Sequence, residues 1–437
     1  MGWVEATFLL VGMILFLMAL GFPVAIAFLI TNLIGAWIFV GDFAGIQQVV
    51  DNSTSVVSRF TLAPVPLFIL MGGLFFHTGL ALRVFDGLDA LMGRLPGRLA
   101  YLTVAGGTMF STLTGSSMAN TAMLGSLLVP EMKKRGYSNR LSMGPILGTG
   151  GLAMIIPPST LAVLLATIAN IDVAKLLIAG LVPGLVLALL YVGMIFLQVT
   201  IWPQSAPAYE TEQLSTSQKL RVVVTHILPM GFVIFMVVGL IVLGVTTPSE
   251  AAAFGVLGVV LLALAFRCLT FDTIVKSLAE TVKVSGMVLF IMMNSAIFSQ
   301  LLSFSGASAG LLDWATGFQV SPLVLLLVLI GVLLVMGMFM DPVSMMLITV
   351  PIFYPLIIAL GYDQFWFSMI MLMSLEMSMT TPPFGILLFV MLGVAPKGTT
   401  LFQVASYAAP FLLCDAILVA LLIIFPKLAL FLPDLMG

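Results

Sequence analysis

Apolar stretches long enough to cross a membrane follow one another along almost the whole chain. They lie near residues 3–20, 22–40, 64–82, 141–170, 176–202, 226–245, 250–266, 284–303, 365–395 and 404–433. Each has close to the roughly 20 residues that a membrane-spanning helix requires. Only 8% of all residues are charged, which is too few to cover a water-facing surface. The sequence therefore predicts an all-α, multi-pass membrane protein surrounded by membrane lipid.

Two further apolar segments, 101–130 and 322–360, are interrupted by polar residues. The first contains the stretch "GSSMAN", Gly115 to Asn120. Basic residues such as Arg98 and Lys133 flank this segment on both sides, so the positive-inside rule places both of its ends in the cytoplasm. Its arms are short for two full spans, so we predict a re-entrant helical hairpin. Irregular backbone at membrane depth must be enclosed, so the tip is expected inside the protein.

Proline and glycine positions repeat along the chain at an offset of 225 residues. Pro23 aligns with Pro248, Pro130 with Pro355, and the pair 157–158 with the pair 382–383, both Pro-Pro. These residue types mark breaks in secondary structure, so their alignment indicates an internal repeat. The same offset places the "GSS" of the first interrupted segment on "MDP" in the second, which predicts a second hairpin.

The two repeats are predicted to have opposite orientations. The loop "KKRGYSNR" is basic, whereas its equivalent "LGYDQF" carries only an aspartate. Inverted-topology repeats are common in secondary transporters. We therefore predict a first repeat at 1–202, with a hairpin at 101–130 and a broken helix at 141–170. A cytoplasmic linker at 203–222 precedes a second repeat at 223–437, with a hairpin at 322–360 and a broken helix at 365–395.

The hairpin tips and broken helices carry the polar groups expected to bind an ion and a carboxylate. Free carbonyls and neutral side-chain oxygens suit a hard cation such as Na⁺, and helix N-termini suit anions. Asp341 has the only full charge at a hairpin tip. Placing an unpaired charge at membrane depth costs at least about 2.5 kcal/mol of free energy. A bound cation is therefore expected beside Asp341. The neutral side-chain oxygens come from Ser116, Ser117, Asn120, Thr380 and Thr381.

Structural roles compete with these interpretations. Serine and threonine in membrane helices often bond their own helix, and Asp341 could simply cap a helix. Glu376, which precedes the second Pro-Pro break, could bind a ligand or pair with another buried group. Asp415 is expected to serve packing or a subunit contact. Glu250, in "TTPSEAAAF", is expected to cap a helix.

The sequence argues against an enzyme and against a nucleic-acid partner. No phosphate-binding loop or metal-spaced cluster occurs, and a serine nucleophile at the first hairpin would lack a base, since His77 and His226 lie elsewhere. The net charge is −2, and the two cysteines define no disulfide framework. A channel or scaffold subunit remains a further class, although paired hairpins suit alternating access better than a continuous pore.

Five motifs closely resemble the large membrane subunit of TRAP transporters, the DctM-type permease. They are "STLTGSSMANTAMLGSLLVPEMKKRGY", "GGLAMIIPPS", "TTPSEAAAFG", "GMFMDPVSMMLITVPIFYPL" and "MTTPPFGILLFV". The resemblance implies an elevator-type transporter in the bacterial inner membrane that imports an organic acid with Na⁺ as coupling ion and no cofactor. It also implies a periplasmic substrate-binding protein and a small DctQ-type membrane subunit, expected here as a separate chain.

The resemblance also extends the set of predicted site residues. It implies that the first hairpin's serine and asparagine and the second hairpin's aspartate help to hold Na⁺, with backbone carbonyls from the glycine-rich stretch and the helix breaks. The predicted sodium site therefore includes Gly115, Gly150 and Gly151 besides the residues named above. The predicted substrate-binding and helix-break residues are Pro157, Pro158, Ser159, Pro342, Pro382 and Pro383.

Two functional points stay open on the sequence. The alternative to the tripartite system is a stand-alone sodium/carboxylate symporter of the wider ion-transporter group. The solute is also open: a C4-dicarboxylate is the first expectation, with sialic acid, other sugar acids, keto acids and ectoine-like solutes as alternatives.

Overall fold

The computed structural model describes residues 1–93, 95–114, 116–207, 215–317, 320–383 and 385–435, without the side chains of residues 42, 61, 112–114 and 316. Within these ranges the regular secondary structure is entirely helical. Seven helices are long and apolar enough to cross a membrane, or up to nine when each of two bent pairs counts as one span. The all-α, multi-pass architecture predicted from the sequence is therefore confirmed.

The described part of the first half contains eleven α-helices. They are α1 (Trp3–Ala19), α2 (Val24–Ala36), α3 (Asp42–Val57), α4 (Pro64–His77), α5 (Leu80–Leu91), α6 (Arg98–Thr114), α7 (Ser117–Lys134), α8 (Asn139–Ile155), α9 (Thr160–Ala169), α10 (Val173–Ala179) and α11 (Leu181–Ile201). The helices α6 and α7 form the two arms of the first predicted hairpin. The helices α8 and α9 form the first broken helix and are bent by 42° at the break.

The second half contains the remaining helices of the described chain. They are α12 (Thr216–Val222), α13 (Leu228–Ile234), α14 (Leu240–Val242), α15 (Pro248–Ala265), α16 (Phe271–Phe304), α17 (Ala307–Gly317), α18 (Pro322–Met336), α19 (Pro342–Ala359), α20 (Gln364–Met379), α21 (Ile386–Val394), α22 (Leu401–Ile424) and α23 (Lys427–Asp434). Short π-helical turns join α12, α13 and α14 into one helix. The helices α18 and α19 form the second hairpin, and α20 and α21 the second broken helix.

The helix boundaries repeat at the offset that the prolines and glycines indicate. Adding 225 to the bounds of α7, 117 and 134, gives 342 and 359, which are the bounds of α19. The same shift takes 139, the start of α8, to 364, the start of α20. Each hairpin's second arm is followed by a glycine with a left-handed backbone, Gly136 with φ +79° and Gly361 with φ +77°. Side chains other than glycine rarely adopt this conformation, so the repeated glycines are needed for the turns.

The hairpins and broken helices pack crosswise between the two halves. The arm α7 contacts α21, and its counterpart α19 contacts α9, while α8 and α20 contact each other directly. Helices α8 and α20 are almost entirely buried, and their few polar residues do not form a separate polar face. A helix that is apolar all round is typical of a buried element, and here the neighbouring helices rather than lipid surround it.

The helices α3 and α5 were not predicted from the apolar pattern. The helix α3 is mostly polar, and α5 carries Arg83, Asp86 and Asp89, so neither has the composition of a membrane span. The helix α16 begins 13 residues before the predicted span at 284–303. Its 34 residues correspond to about 51 Å at 1.5 Å per residue, which exceeds the hydrocarbon thickness of about 30 Å.

Candidate ion and solute site

The tip of the first hairpin is fixed by hydrogen bonds of Ser116 and Ser117. Ser116 caps α7, accepting a bond from the Ala119 backbone N–H at 3.3 Å. Ser117 Oγ lies 2.8 Å from the Gly150 carbonyl oxygen and 3.0 Å from Glu376 Oε2. Gly115, a predicted sodium ligand, lies outside the described residues. The tip is thus held against α8 of its own half and α20 of the other.

Asn120 ties the same hairpin to α8. Its Nδ2 donates to Ser111 Oγ at 2.9 Å and to the Thr149 carbonyl oxygen at 3.0 Å. Asn120 is fully buried, and its Oδ1 has no hydrogen-bond partner among the described residues. The amide therefore directs an unpaired oxygen into the protein interior.

Gly150 and Gly151 lie inside α8 and not in the unwound part of the broken helix. The break comes later, at residues 156–159, where the Pro157–Pro158 peptide bond is cis. Both glycines permit close packing: a Cβ on Gly150 would lie 2.9 Å from Glu376 Oε1, and one on Gly151 would lie 3.1 Å from Tyr191 Oη. After the break, Ser159 caps α9, accepting from the Ala162 backbone N–H at 3.2 Å.

Asp341 at the second hairpin tip is the N-cap of α19. Its Oδ2 accepts from the backbone N–H groups of Val343 at 3.1 Å and Ser344 at 3.2 Å, and its Oδ1 accepts from the Ser344 hydroxyl. Pro342 occupies the first helical position, where its missing N–H removes no helical bond. Asp341 therefore has the helix-capping role that was considered for it on the sequence. Asp341 also remains partly exposed towards a cavity.

The second helix break concentrates backbone carbonyls. A Cβ on Gly385 would lie 2.5 Å from the Met379 carbonyl oxygen and 2.8 Å from that of Thr381. The hydroxyls of Thr380 and Thr381 both donate to the Met377 carbonyl, at 3.1 and 2.6 Å, so each bonds its own helix. The Pro382–Pro383 bond is cis, as in the first half.

A cavity of about 850 Å³ brings the two hairpin tips together. Ser116 and Ser117 line it from the first hairpin, Asp341 and Pro342 line it from the second, and Thr160 lines it at the start of α9. Three helix N-termini therefore border one space. The partial positive charges of α7 and α9 favour an anion there, whereas the Asp341 carboxylate offsets that of α19. No Lys or Arg occurs among the described lining residues, and the remaining polar lining side chains are Ser126 and Glu280.

Two buried acidic residues in the membrane interior are paired with hydroxyl groups. Glu376, 1% exposed, accepts from Ser117, and Asp415, 3% exposed, accepts from the Tyr191 hydroxyl at 2.5 Å. Sequence reasoning singled out both acids without identifying their partners. Ser117 and Glu376 are 259 positions apart, and Tyr191 and Asp415 are 224 apart, so no local pattern could reveal the pairs.

The expectation that Glu250 caps a helix is confirmed by the structure. Thr247 and Glu250 form a capping box at the start of α15. His77 Nε2 lies 3.0 Å from Glu280 Oε2, which joins α4 to α16. Among the described residues no group of three or more His, Cys, Asp or Glu side chains could hold a metal ion. The oxygen-rich hairpin tips and helix breaks are therefore the candidate site.

Comparison with known proteins identifies the family. The family model for the DctM component of the tripartite ATP-independent periplasmic transporter matches residues 11–428. The C4-dicarboxylate TRAP transporter large permease DctM of Pseudomonas aeruginosa is 32% identical, with 87% of each chain covered. The ectoine TRAP transporter large permease TeaC of Halomonas elongata is 28% identical over 98% of this chain and 99% of that protein.

A solved transporter structure shares the fold. The YdaH transporter of Alcanivorax borkumensis matches with a TM-score of 0.59 at 13% identity, covering 91% of this chain and 90% of that chain. At this identity the likeness concerns the fold alone. The family match covers nearly the whole chain, and the described helices are those of a multi-pass inner-membrane transporter subunit. The chain therefore belongs to the DctM family, the large permease component of tripartite ATP-independent periplasmic transporters.

Proposed function

We propose that this chain imports an organic acid in symport with Na⁺. The observation that carries the proposal is the meeting of both hairpin tips at one cavity, with Ser117 of the first tip bonded to groups of both repeats. These hydrogen bonds of the Ser117 hydroxyl join oxygen atoms, which are the ligands that a hard cation prefers. The proposed sodium ligands are Ser116, Ser117, Asn120, Asp341 and the carbonyls of the second helix break.

The solute is held by one carboxylate at the helix N-termini that border the cavity. Because the described lining has no Lys or Arg, the attraction for the anion comes from the partial charges at the N-termini of α7 and α9. Bound Na⁺ adds positive charge nearby, so binding of solute and of ion support each other. A C4-dicarboxylate or a similar carboxylate is the proposed solute, in line with the names of two relatives, which specify C4-dicarboxylate and ectoine.

The transport cycle is proposed to follow an elevator mechanism. The hairpins α6–α7 and α18–α19 would move together with the broken helices α8–α9 and α20–α21, since these elements pack crosswise into one body. The helices α4 and α16, which contact each other, would belong to the fixed part. A periplasmic substrate-binding protein delivers the solute, and a small DctQ-type subunit supports the fixed part in the membrane.

Uptake into proteoliposomes tests the proposal. The vesicles contain this chain with its small subunit, and labelled succinate is added with or without a Na⁺ gradient and with or without the purified binding protein. Uptake that needs both additions is the expected result. Na⁺-driven uptake without the binding protein would favour the stand-alone symporter, and unsaturable flux that is independent of Na⁺ would favour a channel.

A further inference from the structure

Glu376 is a buried carboxyl group that is only half satisfied by hydrogen bonds. Its side chain projects from α20, one turn before the second helix break, and is 1% exposed. Oε2 accepts from Ser117, whereas Oε1 has no hydrogen-bond partner among the described residues. A buried polar atom without a partner is strongly unfavourable, and a buried carboxylate even more so. The position therefore calls for a further binding partner at Oε1.

Two more unpaired oxygens belong to the first hairpin. Thr121 and Asn120 are both fully buried, and Thr121 Oγ1 and Asn120 Oδ1 have no hydrogen-bond partner within the described part of the chain. Thr121 lies four residues after Ser117, so both project from the same face of α7 towards α8 and α20. Asn120 has its Nδ2 committed to Ser111 and Thr149, which leaves Oδ1 as its free group.

Because Gly150 has no side chain, two of these oxygens approach the backbone of α8 closely. A Cβ on Gly150 would lie 2.9 Å from Glu376 Oε1, 3.5 Å from Thr121 Oγ1 and 3.2 Å from the Leu387 side chain. The two oxygens thus flank the same point on α8 from opposite halves of the protein. Hard cations prefer oxygen ligands, so two unpaired oxygens that approach the same point of α8 are a candidate pair of ligands for one such ion.

No basic side chain is placed to neutralise Glu376. It takes part in none of the ion pairs of the described residues. The ionisable groups near Glu376 are Tyr191, Asp415 and Cys414. The Tyr191 hydroxyl is directed to Asp415, and Cys414 is the residue before Asp415 in α22. These groups are acidic, so they repel rather than compensate a carboxylate. A bound cation would compensate this charge whenever the carboxyl group is ionised.

We propose that Glu376 is the charged ligand of a Na⁺ site beside Gly150, which Thr121 and Asn120 complete from the first hairpin. The proposal rests on the sodium coupling proposed above and adds a carboxylate that is distinct from Asp341. Its ligands come from both repeats, α7 in the first and α20 in the second. Occupation by Na⁺ therefore holds the first hairpin against the second broken helix.

Direct binding of ²²Na⁺ to the purified full chain in detergent tests this assignment. Glu376→Gln keeps the shape and the acceptor for Ser117 but removes the charge, and Thr121→Val removes one oxygen. We expect the Na⁺ dissociation constant of this site to rise at least tenfold in the first variant and several-fold in the second. Thr103→Val is the matched control, because Thr103 is equally buried in the same hairpin and its hydroxyl bonds Leu99 of its own helix at 2.8 Å.

A further variant, Asp341→Asn, separates this inference from the proposed function. If the wild-type chain binds Na⁺ and Asp341→Asn weakens binding while Glu376→Gln and Thr121→Val leave it unchanged, sodium coupling stands and the role of Glu376 is wrong. If the wild-type chain binds no Na⁺, the proposed coupling itself fails. Binding that weakens in both the Glu376 and Thr121 variants, but not in Thr103→Val, supports the site.

Discussion

The Tyr191–Asp415 hydrogen bond joins α11 to α22 in the membrane interior, and its removal yields a prediction with a definite size. The Tyr191 hydroxyl lies 2.5 Å from Asp415 Oδ1. Both side chains are buried, at 0% and 3% exposure, and the Tyr191 ring packs against Phe411 with centroids 5.5 Å apart. Tyr191→Phe removes the hydroxyl, keeps this ring contact and leaves the Asp415 carboxyl without its donor.

The expected magnitude follows from the burial of both partners. Leaving a buried acceptor unsatisfied costs about 1–3 kcal/mol, so Tyr191→Phe should lower the free energy of unfolding by about 2 kcal/mol. The pairwise coupling is smaller, because hydrogen bonds between membrane helices contribute about 0.6 kcal/mol on average and at most about 1.7. The carboxyl acceptor and the burial of both groups place this bond at the upper end, at about 1.5 kcal/mol.

A double-mutant cycle with Asp415→Leu measures that coupling. Unfolding of each variant is followed by circular dichroism during titration of mixed micelles with SDS. The double variant should be more stable than the sum of the two single changes predicts, by about 1.5 kcal/mol. Strictly additive effects of the two substitutions would refute the argument, since they would mean that the hydroxyl and the carboxyl do not stabilise each other.

Three further predictions concern the helix ends and the topology. Asp341→Asn retains a good N-cap residue but removes the charge at the second hairpin tip. The Na⁺ concentration for half-maximal uptake should therefore rise at least tenfold. Asp363→Asn is the control, because Asp363 is another N-cap, bonded to Phe365 and Trp366, and its change should leave that concentration unchanged. Ser159→Ala should lower the free energy of unfolding by about 1 kcal/mol because α9 loses its cap, and Ser159→Asp should recover most of it in the same SDS titration. The 225-residue offset relates Lys134 to Ala359, and each is replaced by a single cysteine in a background without Cys268 and Cys414. The two cysteines should react with an impermeant maleimide from opposite faces of the membrane. Labelling of both from the same face would contradict the inverted repeat.

The helix boundaries at the hairpins and breaks could be predicted closely from the sequence. Proline, glycine and capping residues act locally, so their positions determine where a helix starts or ends. The predicted hairpin at 322–360 and broken helix at 365–395 match α18–α21 within about one residue at each outer end. Ser116, Ser159 and Asp341 each precede a helix in the sequence and cap that helix in the structure.

The contacts that build the candidate site could not be predicted in the same way. Thr121 carries no sequence signal that distinguishes it from other threonines in membrane helices, and its importance appears only where α7 packs against Gly150. The glycine-rich stretch was expected to supply carbonyls, but α8 continues through it to Ile155. The helices α3 and α5 were missed because their polar composition differs from that of a span.

The entry of ²²Na⁺ during solute uptake tests the central claim most directly. Proteoliposomes with this chain and its small subunit are energised by a membrane potential, and the solute-loaded binding protein is added outside. We expect ²²Na⁺ to begin to enter when the binding protein is added, in a fixed ratio to the solute. Glu376→Gln should reduce the entry of both ²²Na⁺ and solute. Solute entry at the wild-type rate without any ²²Na⁺ entry would contradict the central claim.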